Sequence, residues 1–259
     1  MKHSDDVDES RRQLLIQALA AGFFSAGFPV VNSYAASIFS KKPTKLPPGQ
    51  SIYRIAGQVT VNGKDATLET IVKPGDTIQT SKDGEIIFVV NGNNSMILGS
   101  NSHLVIETQQ SKVEKDKKKK LPQPEHLVSS VITGLNLLAG RLLSVSRDTP
   151  MRINTATAVL GIRGTGFYIE SDPELTYFCT CYGITDVASI SNPASKETIE
   201  SKHHDHPVYI VKDTLGNNIR KAPFINHTDQ ELSLIELLVG REPPYVFPAD
   251  NYGPLRRNY

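Results

Sequence analysis

Tryptophan is absent from this sequence, methionine occurs three times and cysteine only twice. Two cysteines one residue apart cannot form the framework of a small disulfide scaffold, which needs more thiols at wider spacing. Aromatics make up only 7% of residues, and none interrupts the one lysine-rich run, Lys112 to Lys120. Without stacking rings or a dominant positive charge (28 basic against 27 acidic residues), nothing argues for nucleic acid as a partner. No Gly-x-Ser-x-Gly occurs, which leaves no nucleophile elbow, and nothing else in the sequence marks an enzyme. What is present is an ordinary globular composition, 39% hydrophobic and 21% charged over 259 residues. That supplies enough apolar side chains for a buried core.

The amino terminus carries an address. Ser10-Arg11-Arg12-Gln13-Leu14 opens an apolar run to Val31, broken at Pro29 and followed by the small-x-small step Ser33-Tyr34-Ala35. An arginine pair (Arg11, Arg12) before a modest hydrophobic stretch reads as a twin-arginine export signal over residues 1–35. Cleavage after it implies a periplasmic protein. Failure of cleavage would leave an inner-membrane anchor, since the run approaches the length of a bilayer span. Residues 36–50, with Pro43, Pro47, Pro48 and three lysines, read as a linker.

From Ile52 the chain alternates apolar and polar residues in short runs: Ile52–Val61, Ala66–Val72, Thr77–Thr80, Glu85–Val90, Ser95–Leu98 and His103–Thr108. Turn signals separate them, Asn62-Gly63 and Asn91-Gly92 among them, and Asn-Gly suits the left-handed pair of a type I′ hairpin. Ser111–Glu125 reads as a solvated lysine-rich loop. Strands resume at Leu127–Val131 and Leu137–Val145, with a further pair around Thr155–Gly166.

Four stretches then carry a resemblance: Gly57-Gln58-Val59-Thr60-Val61-Asn62-Gly63, Val72-Lys73-Pro74-Gly75-Asp76-Thr77-Ile78, Leu98-Gly99-Ser100-Asn101-Ser102 and, most specific, Val159-Leu160-Gly161-Ile162-Arg163-Gly164-Thr165. Together they resemble the FecR-like domain family of bacterial cell-envelope proteins, over about residues 52–190. The resemblance implies a mainly β module that passes signals or anchors partners without catalysis. In iron-signalling members a cytoplasmic segment engages a sigma factor. Only ten residues precede Arg11, so the expectation is the shared domain and not the sigma-regulator role. Gly161 to Gly166 is expected to form a tight corner between strands, with Ile162 inward, Arg163 on a carboxylate or carbonyls, and Gly164 and Thr165 at the turn.

The carboxy-terminal part falls outside that pattern. Leu175–Gly183 has strand character, so Cys179 and Cys181 project from one face. Downstream lie His203-His204-Asp205-His206 and His227, the last just before a capping box, Thr228 to Glu231. A helix follows to about Val239, with Leu232, Ile235, Leu238 and Val239 as its apolar stripe and Gly240 as its stop. Cys179, Cys181, His204, His206 and His227 are candidate ligands for zinc or copper. The alternatives are two buried small side chains beside unrelated histidines, or a Cys179–Cys181 bond.

The fold expected is mainly β, a FecR-like sandwich or solenoid-like wrap of short strands. One carboxy-terminal helix (about 229–239) packs on it, and a signal helix precedes it. The units are 1–35, 36–50, 51–190 and an extension, 191–259. The function expected is a non-enzymatic envelope module that binds or senses an unnamed protein or ligand, touching membrane only if the signal persists as an anchor. The alternative is a metal- or thiol-dependent periplasmic protein.

Overall fold

The computed structural model describes residues 43–109, 131–146, 150–213 and 216–244. The twin-arginine segment, the start of the linker and the lysine-rich run lie outside the described residues. Among those described, no helix is long and apolar enough to cross a membrane.

The chain is mainly β. Seven strands come first: β1 (Ile52–Ala56), β2 (Val59–Val61), β3 (Lys64–Asp65), β4 (Thr77–Thr80), β5 (Glu85–Val90), β6 (Asn94–Leu98) and β7 (His103–Gln109). Four more carry the centre: β8 (Val131–Ser146), β9 (Met151–Asn154), β10 (Ala158–Ser171) and β11 (Leu175–Ser189). The last are β12 (Lys196–Ser201), β13 (Val208–Val211) and β14 (Ile219–Lys221), followed by the helix α1 (Asp229–Leu238). Both Asn-Gly steps turn as expected, since Asn62, Gly63, Asn91 and Gly92 all have positive φ. Ala66–Val72 does not form the expected strand. Its Thr67 and Thr70 bond to each other across a turn, leaving Leu68 and Ile71 exposed.

Three strands are far longer than the short runs of the sequence suggest, and each changes partners midway. The first half of β8 pairs with β7 and β9, and its second half with β6 and β10. β10 begins against β9 and ends against β8, while β11 pairs first with β13 and then with β12. At each switch sits a glycine in the left-handed region: Gly140 (φ 98°), Gly164 (φ 64°) and Gly183 (φ 93°). Only glycine adopts that backbone without strain, so the strand bends there and its two halves enter different layers. The result is one hydrogen-bonded network folded into two layers. One contains β14, β13, β6, β5 and β1, the other β12, β9, β7, β4, β2 and β3, and β8, β10 and β11 run through both.

The Gly161–Gly166 corner is therefore real but differently placed. It is a bulge inside β10, between Arg163 and Gly166, and not a turn between strands. Ile162 points into the core and Arg163 pairs with the Asp186 carboxylate, both as expected. That ion pair is exposed and contributes little.

Alternation along the strands creates two apolar faces. Phe88, Met96, Phe167 and Phe178 meet Leu104, Ile153, Leu160 and Val187 from the second layer in the central core. On the other face of the first layer, Val89, Val145, Tyr168 and Cys181 lie under Leu232, Ile235 and Leu238 of α1. Each of those leucines or isoleucines, fully buried, stabilises the docking by about 1.5–3 kcal/mol. This outer face, roofed by the helix, holds the candidate site.

Candidate metal centre

Three chain segments bring the donors together. Along β11, Tyr177, Cys179 and Cys181 share the face beneath α1, as the two-residue period requires, and both cysteines are free thiols with no exposed surface. The link between β12 and β13 makes a tight turn. The amides of Lys202 and His203 donate to Asp205, whose own amide donates to Ser201 Oγ. His204, at φ 54°, then points inward, and its amide bonds to the Cys181 carbonyl. His227 stands before the N-cap of α1, stacked on Tyr168 at 4.3 Å between ring centres and edge-on to Phe224. The capping box is fully formed: Thr228 accepts from the Glu231 amide, and the Glu231 carboxylate accepts from the Thr228 amide.

Cys179 Sγ lies 3.4 Å from His204 Nδ1, which lies 3.2 Å from His227 Nε2. The four donor atoms of Cys179, Cys181, His204 and His227 all fall within 4.8 Å of one another, and all four residues are buried. Zinc bonds of about 2.0–2.3 Å imply tetrahedral edges of roughly 3.3 Å between nitrogens and 3.5–3.8 Å where sulfur takes part. The Cys179–His204 and His204–His227 separations lie close to that frame.

The tautomers fit as well. A carbonyl only accepts, so His227 Nδ1, 2.7 Å from the Ile225 oxygen, carries the proton and leaves Nε2 bare. His204 Nε2 lies 3.0 Å from Asp229 Oδ1 and donates to it, which leaves Nδ1 bare. Both rings thus hold their N–H groups outward and aim lone pairs at the same point, beside the two sulfurs. This outer-sphere pattern is the one metal-binding histidines use.

Without a metal, the crowding is relieved by ionisation. Burial raises the Cys179 thiol, but the hydrogen bond from Cys181 and the His227 and His204 rings outweigh it and hold Cys179 well below its usual range. Burial and the neighbouring Cys179 sulfur push Cys181 well above it. Burial opposes protonation of His204, yet Asp229 and Cys179 bring its pKa up to about 9. Burial likewise opposes ionisation of Asp229, and bonds from His204 and His203 keep its carboxyl low. These shifts favour the charged form of His204 and the thiolate form of Cys179, and a bound cation would replace the proton on His204 Nδ1.

Of the five candidate ligands, four converge. His206 does not belong to the group: it is exposed, past the turn that directs His204 inward. Sequence reasoning missed two contributors, Asp229 and His203. His203 Nε2 lies 3.0 Å from both Asp229 oxygens. Asp229 is the first residue of α1, where an acidic side chain ordinarily reads as a partner for the helix dipole, so nothing local pointed to a role under His204.

Fold and site define a mainly β protein with a closed Cys2His2 donor set under its one described helix. No family model and no curated protein matches the sequence. Two crystal structures, each of a "putative anti-sigma factor" from Parabacteroides distasonis, at 2.50 and 1.65 Å, overlap it in part. Their TM-scores are 0.39 and 0.38, at 13% and 12% identity, over 56% of this chain and 58% of theirs. The chain spans less than two thirds of either neighbour, and overlap this loose assigns neither family nor role.

Proposed function

We propose that this chain is an exported, non-enzymatic β module of the bacterial cell envelope that binds or senses a partner, and that its Cys2His2 centre holds zinc. The observation that carries the metal reading is the convergence of four buried donors within 4.8 Å of one another, with both imidazole N–H groups tied outward. Two thiolates and two imidazoles suit zinc, and a closed four-donor shell marks a structural rather than a catalytic site. The metal would join side chains of β11, the link after β12 and the start of α1. The FecR-like stretches support the envelope setting, and Arg11-Arg12 supports export in folded, already loaded form.

Elemental analysis of the full chain, purified without chelators, tests the central claim. One equivalent of zinc per chain is expected, lost together when Cys179→Ser and Cys181→Ser are combined. Copper in its place would change the ion and keep the donor set. Metal-free protein that takes up neither ion, with both thiols still reduced, would sink the reading.

A further inference from the structure

Resting on that metal reading, we propose that Asp229 and His203 are positioning residues for the centre: Asp229 fixes the ring of His204, and His203 fixes Asp229. Neither side chain offers an atom to the Cys2His2 group itself. Asp229 stands one helical position past the cap, with 4% of its surface exposed. Its Oδ1 receives the Nε2–H of His204, and both of its oxygens lie 3.0 Å from His203 Nε2.

The chain of dependence is physical. His204 can present Nδ1 to a metal only while its proton sits on Nε2, and a buried N–H without an acceptor is costly to keep. Asp229 supplies that acceptor in a charged, strong form. A carboxylate so buried needs compensation in turn. It receives this from the helix start and from His203, whose ring also packs edge-on against His204 at 4.9 Å. The Thr228 cap and the Ser233 hydroxyl, which donates to the Asp229 carbonyl at 2.8 Å, hold the first turn where these bonds can form. Metal affinity and docking of the start of α1 are therefore linked, each favouring the other.

The test measures zinc affinity of the full chain by competition with a chelator, alongside the absorption of the cobalt-substituted protein. Asp229→Asn should weaken zinc by about ten- to a hundredfold, the usual penalty for losing an outer-sphere partner. The cobalt–thiolate bands should persist while the ligand-field bands change, because one imidazole is no longer held. His203→Ala should weaken binding less, and His203→Gln, which keeps an N–H for Asp229, should restore it. His203 is partly exposed, so its variants remain informative even if Asp229→Asn fails to fold.

Wild-type affinity and an unchanged cobalt spectrum in both the Asp229 and His203 variants would overturn the positioning role and leave the metal reading intact. Two equivalents of metal, the second lost in His203→Ala, would also overturn it, making these residues ligands of a second ion. A wild-type chain that binds no metal would remove the reading on which the inference rests.

Discussion

Cys179, Cys181 and His204 make opposing demands on stability in the metal-free protein, and their signs predict its pH dependence. A lowered Cys179 means the unfolded chain holds a proton that the folded one lacks, so stability rises with pH up to the thiol's unfolded value near 8.5. A raised His204 acts the other way. Its contribution is complete below the unfolded value near 6.5 and lost as pH climbs through about 9. Between those unfolded values the two effects oppose each other. Above about 8.5 only losses remain, because Cys181 is also raised and the folded state keeps its proton. Thermal unfolding of chelated protein should therefore change little between about pH 6.5 and 8.5, where the gain at Cys179 opposes the loss at His204, and decline beyond. Zinc-loaded protein should lack the alkaline decline, since its thiolates and His204 have no proton to lose. A metal-free midpoint that rises steadily through pH 9 would contradict the thiolate–imidazolium pairing.

Among the elements, the three bent strands decide the architecture, and their glycines are not equivalent to others in the same motif. Gly164 sits at φ 64° in the bulge of β10, whereas Gly161 lacks positive φ and an added Cβ there would make only ordinary contact with Asp186 at 3.6 Å. Gly164→Val should cost about 2–4 kcal/mol through backbone strain and overpacking, and Gly161→Ala little. Equal losses at both positions, measured by urea unfolding, would deny the corner its role. At Gly183 a Cβ would also stand 2.6 Å from Thr165 Cγ2, so that bend is held by packing as well as by dihedral angle. The helix is fixed at both ends. Its start joins the Cys2His2 group, through His227 and Asp229. Near its end the buried Glu236 accepts from the Tyr182 hydroxyl and from Arg241 Nε at 2.9 Å, and Arg241 reaches the Asn93 carbonyl.

For the whole molecule, the proposed export and the proposed metal loading are linked. On the proposed reading, a site with both thiols fully buried would be filled as the chain folds or soon after, and twin-arginine transport suits a protein that crosses the membrane already folded. If the export reading holds, the Arg11→Lys, Arg12→Lys double variant should stay in the cytoplasm, because that pathway reads the guanidinium pair. Fractionation that still finds it in the periplasm would refute the assignment of the signal.

Local chemistry was legible in the sequence because each signal depends on residues a few positions apart. The Asn62-Gly63 and Asn91-Gly92 turns, the Thr228–Glu231 cap, the apolar stripe of α1 and the shared face of Cys179 and Cys181 are all of this kind. Strand length was not, since Gly140, Gly164 and Gly183 look like breaks until the pairing of both halves shows them to be bends within continuous strands. The donor set was half legible. Spacing put two sulfurs on one face and placed His227 at a helix start, but it could not rank His204 above His206. The turn closed by Asp205 does that, sending one ring inward and the other to solvent. Asp229 and His203 were legible least of all. They meet across 26 residues of chain, and only the folding of α1 onto the face of β11 brings that carboxylate beneath His204.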